Sequence, residues 1–209
     1  MPPISRLLLL ALWAGVSGCS QLLPAPAGPE VTAAQQAVAA PQQQSLPTLS
    51  DVQQQQFAQA KQALQQGDFS AAVTQLTSLY NALPQAAGIG YNLALAQWQN
   101  GDAQQAQQTL AQLVAVAGHY AAAHNLAGVL ARQQGHFRQA ERHFQRALQA
   151  DAGYAIAHKN LAFLYELYLG EPLAAHYHYQ QYYAMTQDEQ AKVWLALLEQ
   201  QLEREAANE

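Results

Sequence analysis

The sequence predicts an all-α protein, a solenoid of about four helix-turn-helix repeats with a C-terminal capping helix. Three observations support this fold class. Apolar residues recur at helical spacing from Ser50 to about Arg204. A unit of about 34 residues repeats within that stretch. A glycine suited to a turn ends the first helix of each unit. The residues before Ser50 show none of these patterns.

Residues 1–18 have the pattern of a targeting segment. Arg6 precedes an apolar run from Leu7 to Val16, and the small residues Ser17 and Gly18 follow it. A membrane-spanning helix needs about 20 apolar residues, roughly twice the length of this run. The segment is therefore predicted to be a signal peptide and not a membrane anchor.

Cys19 is the single cysteine of the chain, so an internal disulfide is excluded. The residues Val16-Ser17-Gly18-Cys19 resemble the lipobox of bacterial lipoproteins, whose cysteine is lipidated and becomes the new N-terminus. An ordinary secretory signal that happens to contain a cysteine is the alternative. The resemblance implies a lipidated Cys19, and two or more acyl chains anchor a protein stably. Ser20 resembles the signal that sorts lipoproteins to the outer membrane, which implies a position facing the periplasm.

Residues 19–50 form a segment rich in proline, alanine and glutamine, with Glu30 as its one charged residue. Scattered prolines interrupt helices, and the segment has no apolar periodicity. We therefore expect a disordered tether, which reaches roughly 90 Å when extended and averages about 30 Å by chain statistics. The folded part could then move away from the lipid surface.

The repeat array is predicted over residues 51–185, with units at about 53–86, 87–119, 120–154 and 155–186. Ser50 and Gln53 have the spacing of a capping box at its start. The tripeptide Asn-Leu-Ala occurs once in each of the last three units, starting at Asn92, Asn125 and Asn160. The expected turn glycines are Gly67, Gly101, Gly135 and Gly170.

The second helices of the units have their own pattern. Asp68 and Asp102 suit the N-cap position. A small residue that would allow close helix packing recurs once in each unit, at Ala72, Ala106, Ala140 and Ala174.

These features together resemble the tetratricopeptide repeat (TPR) family over about 155 of the 209 residues. The first helix of the third unit looks one residue longer than the others. Residues 187–206 are predicted to form the capping helix, which begins near Thr186 and Glu189. Its apolar stripe is Val193, Trp194, Leu197, Leu198 and Leu202. Repeat arrays need such a cap because the last unit otherwise exposes an apolar face.

The TPR resemblance implies a concave groove, lined by the first helices, that binds a peptide segment of a partner protein. The family's groove positions correspond to Phe57, Lys61, Tyr91, Asn92, Leu95, Trp98, His124, Asn125, Arg132, Lys159, Asn160 and Phe163. Aromatic residues among them, Phe57, Tyr91 and Trp98, would anchor a partner or pack between repeats.

Three asparagines, Asn92, Asn125 and Asn160, are expected at one position of three consecutive repeats. A side-chain amide both donates and accepts hydrogen bonds, so it can bind an extended peptide backbone. The pattern resembles the asparagine ladder of some peptide-binding TPR proteins. The alternative is that these asparagines hydrogen-bond between helices inside the array.

Other kinds of site are not expected. The seven histidines lie between His119 and His178, but no two are three or four apart on one helix face, so we predict no metal and no cofactor. No catalytic motif is recognisable, which predicts that the chain is not an enzyme. Nine basic and 14 acidic side chains give a net charge of −5, so nucleic acid is not an expected partner.

Arginines recur every four residues at Arg138, Arg142 and Arg146. This stripe is a solvated face or a surface for an acidic partner.

The sequence as a whole predicts a lipid-anchored adaptor that binds a protein of the cell envelope. It resembles TPR lipoproteins of pilus or secretion assembly, and others of this kind organise cell-wall enzymes or outer-membrane assembly. The competing prediction is a structural or oligomerising outer-membrane lipoprotein. Its groove would be filled by its own C-terminal helix or a second copy, through the dense tyrosines Tyr177, Tyr179, Tyr182 and Tyr183.

Overall fold

The computed structural model describes residues 49–207. The predicted signal peptide, Cys19 and nearly all of the predicted tether lie outside these residues. Within residues 49–207 the chain folds into helices joined by short turns, without a strand. The helices are α1 Asp51–Gln66, α2 Phe69–Ala82, α3 Ala87–Gln99, α4 Ala103–Val116, α5 Ala121–Gln133, α6 Phe137–Ala150, α7 Ala155–Leu164, α8 Pro172–Thr186 and α9 Glu189–Ala206.

The helices stack in chain order. Each helix packs mainly against the next one, and the first helices of neighbouring units, α3 with α5 and α5 with α7, also touch. This is the arrangement of a solenoid, in which each unit contacts only its neighbours. The predicted fold class, an all-α helix-turn-helix solenoid of about four repeats with a capping helix, is confirmed.

Equivalent positions keep one interval along the array up to the first helix of the fourth unit. Helices α3, α5 and α7 begin at equal intervals, at Ala87, Ala121 and Ala155. The turn glycines Gly67, Gly101 and Gly135 keep the same interval, whereas Gly170 comes one residue later than that interval predicts. The first helix of the fourth unit contains the extra residue, because α7 continues into a π-helical turn, Tyr165–Leu169. The expectation of a longer third unit was therefore wrong.

The predicted helix starts are largely present. Ser50 and Gln53 form a complete capping box. Asp68 caps α2, since its carboxylate accepts a hydrogen bond from the Ala71 backbone N–H at 3.0 Å. Asp102 precedes α4 but makes no side-chain capping bond. Its carboxylate instead accepts from the Asn100 side chain at 3.1 Å.

Small residues lie where the helices of each unit approach most closely. Ala72, Ala106 and Ala140 are completely buried. In the fourth unit Ala175 is completely buried while Ala174, the predicted residue, is only half-buried. The π-helical turn accounts for this one-residue displacement, because it delays every later position of the unit.

Helix α9 closes the array at its C-terminal end. Trp194 lies against the rings of Phe163, Tyr179 and Tyr182, with centroid separations of 4.9, 5.5 and 6.3 Å. Of the predicted apolar stripe, Leu198 is buried and Trp194 and Leu202 are half-buried. Val193 and Leu197 are instead exposed. None of the helices in the described part of the chain is long and apolar enough to cross a membrane.

Candidate functional site

The first helices place residues one repeat length apart in rows across the array. One row lies at the C-terminal ends of these helices and consists of Leu64, Trp98, Arg132 and Glu166. All four side chains are half-buried. We call this set the distal row, and it contains two of the predicted groove residues.

Trp98 and Arg132 occupy the centre of the distal row. The Trp98 indole N–H donates a hydrogen bond to the Gln133 side-chain oxygen at 3.0 Å, which links α3 to α5. Arg132 forms no salt bridge with any side chain that the structure describes. Burial lowers the pKa of the Arg132 guanidinium, and Tyr168 partly offsets this effect. The row therefore presents a partly desolvated cation that forms no salt bridge, one repeat from Trp98 on one side and one repeat from Glu166, whose carboxylate accepts from Tyr179, on the other.

The predicted groove residues divide into accessible and buried groups. Those that remain exposed or half-buried are Phe57, Lys61, Asn92, Trp98 and Arg132. Those that are buried are Tyr91, Leu95, His124, Asn125, Lys159, Asn160 and Phe163. The buried side chains are not accessible to a partner in this conformation. Fewer of the predicted groove residues are therefore available for binding than the sequence suggested.

Packing at the two ends of the array explains several of these positions. Helices α8 and α9 cover Phe163, which meets the rings of Tyr179 and Trp194. Lys159 is buried with its ammonium 5.2 Å from the centroid of the Tyr182 ring, and burial lowers its pKa. At the other end, the exposed Lys61 lies 5.0 Å from the Phe57 ring centroid.

The three asparagines do not share one repeat position. Counted from the starts of their helices, Asn125 is equivalent to Tyr91 and Lys159, whereas Asn92 and Asn160 are equivalent to Leu126. Asn160 donates to the Asn125 side-chain oxygen at 2.8 Å, and both residues are almost fully buried. Asn92 donates to the Gly88 carbonyl of its own helix. The asparagine bond therefore joins helices inside the array, as the alternative interpretation expected.

The tyrosines near the C-terminus have different environments. Tyr179 and Tyr182 are buried, and their hydroxyls donate to the Glu166 and Asp188 carboxylates. Tyr177 is exposed, and Tyr183 lies under the Lys192 ammonium, 5.3 Å from its ring centroid. Part of this tyrosine cluster therefore packs α9 onto α8.

The arginine stripe on α6 is paired at one end only. Arg138 contacts Glu141 and Glu171 at 3.0 and 2.8 Å. Arg142 and Arg146 are exposed and form no salt bridge with another residue in the described range.

The structure brings four histidines together in two pairs that the sequence analysis did not find. His124 lies near His143 in the third unit, and His158 lies near His178 in the fourth, with ring centroids 6.3 and 5.0 Å apart. Each pair joins the first helix of a unit to its second. The sequence does contain a signal for these pairs, because a histidine recurs at equivalent positions of two units. The two members of each pair lie on different helices, so their spacing along one helix does not reveal them.

These pairs predict a loss of stability in mild acid. Burial, aided by His124 and two arginines, lowers the pKa of His143 to about 4, and burial with His158 lowers the pKa of His178 to about 4. Unfolded histidine has a pKa of 6.5, so the unfolded chain binds more protons below that pH. Stability should be complete above pH 6.5 and should fall as the pH drops towards 4.

Urea unfolding between pH 7 and 5 measures this effect, since most carboxylates remain ionised there. His143→Gln should flatten the pH dependence. Replacing the exposed His119 by glutamine is the matched control and should leave it unchanged. An equal slope in all three proteins would contradict the assignment.

Two family models for the tetratricopeptide repeat match the chain, one at residues 63–130 and one at 126–166. The matched part and the helix packing define the class, a solenoid of protein-interaction repeats. More particularly, the helices have TPR-like packing, and residues 63–166 match the models of the tetratricopeptide repeat. No curated protein sequence matches the chain significantly.

Several solved structures have the same fold. Pseudomonas aeruginosa PilF is 19% identical, with a TM-score of 0.66 and coverage of 74% of this chain and 70% of that one. TTC0263, a thermophilic TPR protein of Thermus thermophilus, is 23% identical, with a TM-score of 0.59 and coverage of 72% and 82%. MamA from Desulfovibrio magneticus RS-1 is 15% identical, with a TM-score of 0.62 and coverage of 77% and 92%. At such identities the similarity shows the fold alone.

Proposed function

We propose that this protein is a lipid-anchored adaptor of the bacterial outer membrane, facing the periplasm, that binds a peptide segment of another envelope protein. The observation that carries the proposal is the distal row, where Arg132 lacks a carboxylate partner among the described residues and lies one repeat from Trp98. Tetratricopeptide repeats are protein-interaction modules, which supports a protein as the ligand. The resemblance of Val16-Ser17-Gly18-Cys19 to a lipobox supports the anchor.

The chemistry of the distal row favours an extended segment with an acidic group next to an apolar one. A partly desolvated guanidinium gains most from a carboxylate, because the two can form paired charge-assisted hydrogen bonds. Tryptophan and arginine are also the side chains enriched at binding hot spots. Leu64 extends the row with an apolar surface towards the N-terminal end of the array.

A place in pilus or secretion assembly is the pathway we favour. Its support is the resemblance to TPR lipoproteins of those systems and the shared fold with PilF. Organisation of cell-wall enzymes or outer-membrane assembly is a second pathway for the same adaptor. The competing function is that of a structural or oligomerising lipoprotein.

A photo-crosslinking residue placed at position 98 tests the groove in the full chain within a Gram-negative host. We expect a discrete adduct with one envelope protein, and we expect Arg132→Gln to reduce it several-fold. The matched control is position 116, where an exposed valine lies at the end of α4, away from the row. Adducts only with the chain itself would support the oligomeric alternative, and equal adducts from both positions would contradict the proposal.

The anchor is tested in the same cells with Cys19→Ala. The variant should leave the membrane fraction and lose incorporated acyl chains, while its purified helical domain still crosslinks to the isolated partner. Fixing a binding site at one membrane raises its effective concentration for partners there, so crosslinking in cells should fall. Membrane retention of Cys19→Ala would contradict lipidation without affecting the interpretation of the groove.

A further inference from the structure

Helix α9 has the position of a first helix in an incomplete fifth unit. The first helices of the second, third and fourth units begin at Ala87, Ala121 and Ala155. Helix α9 begins at Glu189, one further interval of the same length along the chain. No second helix follows it within residues 49–207. The described part of the array therefore ends on half a unit.

In the complete units, one side of each first helix packs against the second helix of the same unit. Gly128 on α5 shows how closely the two helices approach, because a β-carbon there would lie 2.5 Å from the Phe144 ring of α6. Phe163 on α7 lies against the Tyr179 ring of α8, with a centroid separation of 5.4 Å. We call this side of a first helix its pairing face.

The pairing face of α9 is apolar and exposed. Ala196 and Leu197 on α9 follow Ala162 and Phe163 on α7 by one interval, so they occupy equivalent positions. Leu197 is 60% exposed and Val193 is 49% exposed, and Ala196 is exposed as well. Helix α9 thus leaves open the face that the earlier first helices cover with a second helix.

The opposite end of the array has no matching apolar surface. On α3, Ile89 and Leu93 are buried in one core with residues of the first unit. The equivalent residues of α1 are Gln55 and Gln59, and both are exposed. A polar outer face of this kind is typical of a terminal unit. A head-to-tail stack of copies would press these amides against apolar side chains, which is unfavourable.

The pairing face of α9 is complementary to itself when two copies of the helix run antiparallel. A two-fold axis between Ala196 and Leu197 places each of these residues opposite the other in the second copy. The small Ala196 then faces the larger Leu197 on both sides of the axis. The same register places Val193 opposite Gln200 of the second copy. Such an interface uses one surface twice and closes on itself.

The charges near the ends of α9 fit the same register. Glu189 and Arg204 lie opposite each other across the axis, so this pair of opposite charges occurs twice. Glu189 also contacts Lys192 of its own helix at 2.8 Å, and in the dimer it would lie between two cations. Exposed ion pairs add little free energy, so these charges fix the register more than the strength of the contact.

We propose that α9 of a second copy covers this face and forms a two-fold dimer of antiparallel helices. One face of an 18-residue helix about 27 Å long is small beside the roughly 1,200–2,000 Å² that stable interfaces bury. The dimer is therefore reversible, and α9 stays exposed in dilute solution. Trp98 and Arg132 lie on α3 and α5, so the dimer presents two distal rows.

A photo-crosslinking residue at position 193 of the full chain, in a Gram-negative host, tests the proposal. We expect an adduct with the mass of two copies, and peptide mapping should place the crosslink near Gln200 of the second copy. Leu197→Glu should reduce the adduct several-fold, because a carboxylate would then lie in the apolar centre. Val116→Glu is the matched control and should leave the adduct unchanged, because Val116 is also 60% exposed but lies on α4.

Circular dichroism confirms that both variants are folded. The purified chain in detergent should give the same adduct when concentrated and lose it on dilution. Absence of the adduct, an adduct only with a different protein, or equal effects of Leu197→Glu and Val116→Glu would overturn the proposal. A crosslink between the two positions 193 would indicate a parallel pair and would also overturn it. The crosslink at position 98 is measured separately, so the adaptor function and the dimer can fail independently.

Discussion

Gly128→Ala is expected to lower the free energy of unfolding by about 2 kcal/mol, because overpacking in a closed core typically costs about 1–3 kcal/mol. A β-carbon at Gly128 would lie 2.5 and 2.6 Å from two ring atoms of Phe144. Phe144 is completely buried between helices, so its ring has no free space to enter. The loss outweighs the gain of about 1 kcal/mol in helix propensity that alanine brings over glycine.

Equilibrium urea unfolding measures this effect, and the chain offers a matched control. Gly88 lies in the first turn of α3, and a β-carbon added there would have no atom within 4 Å, so Gly88→Ala should be neutral or slightly stabilising. Combining Gly128→Ala with Phe144→Leu should recover part of the loss, since the two residues share one space. Equal stability of Gly128→Ala and Gly88→Ala would contradict the close approach of α5 and α6.

Trp194→Ala is expected to release the capping helix and to cost about 3 kcal/mol, the lower end for removal of a large aromatic side chain because Trp194 is half-buried. Its ring contacts Phe163, Tyr179 and Tyr182, so its loss opens the core of the fourth unit. Each unit of a solenoid is stabilised mainly by contacts with its neighbouring units, so the effect should remain near the C-terminal end.

Hydrogen exchange resolved by segment distinguishes a local effect from a global one. Exchange in α9 and α8 should become much faster, whereas α1 to α4 should keep their protection. Val193→Ala on the same helix is the control, because Val193 is 49% exposed and should have little effect. Uniform loss of protection along the chain would contradict a capping role.

The sequence allowed the fold to be predicted because its signals are local. Turn glycines and the apolar spacing depend only on neighbouring residues, and Gly67, Gly101, Gly135 and Gly170 all adopt positive φ angles. It was harder to predict which residues occupy equivalent positions in different units. The tripeptide Asn-Leu-Ala looked like a repeat marker, but the evenly spaced helix starts place Asn125 one position earlier in its helix than Asn92 and Asn160.

The candidate site depended on distances that sequence spacing does not contain. First-helix side chains at groove positions differ in burial, since Lys61 is exposed at the start of the array while Phe163 lies under α9 at its end. The histidine pairs join two different helices, so neither member has a partner three or four residues away. A periodic sequence predicts which helices become neighbours, but it does not reveal how far each side chain remains open to solvent.

The extra residue of the π-helical turn Tyr165–Leu169 is compensated before the capping helix. Helix α9 begins at Glu189, the same interval after Ala155 that separates Ala121 from Ala155. The turn therefore displaces only the second helix of the fourth unit, by one residue or about 100° around the helix axis. A copy of any of the last three units, in nature or by design, would keep the first helices in phase.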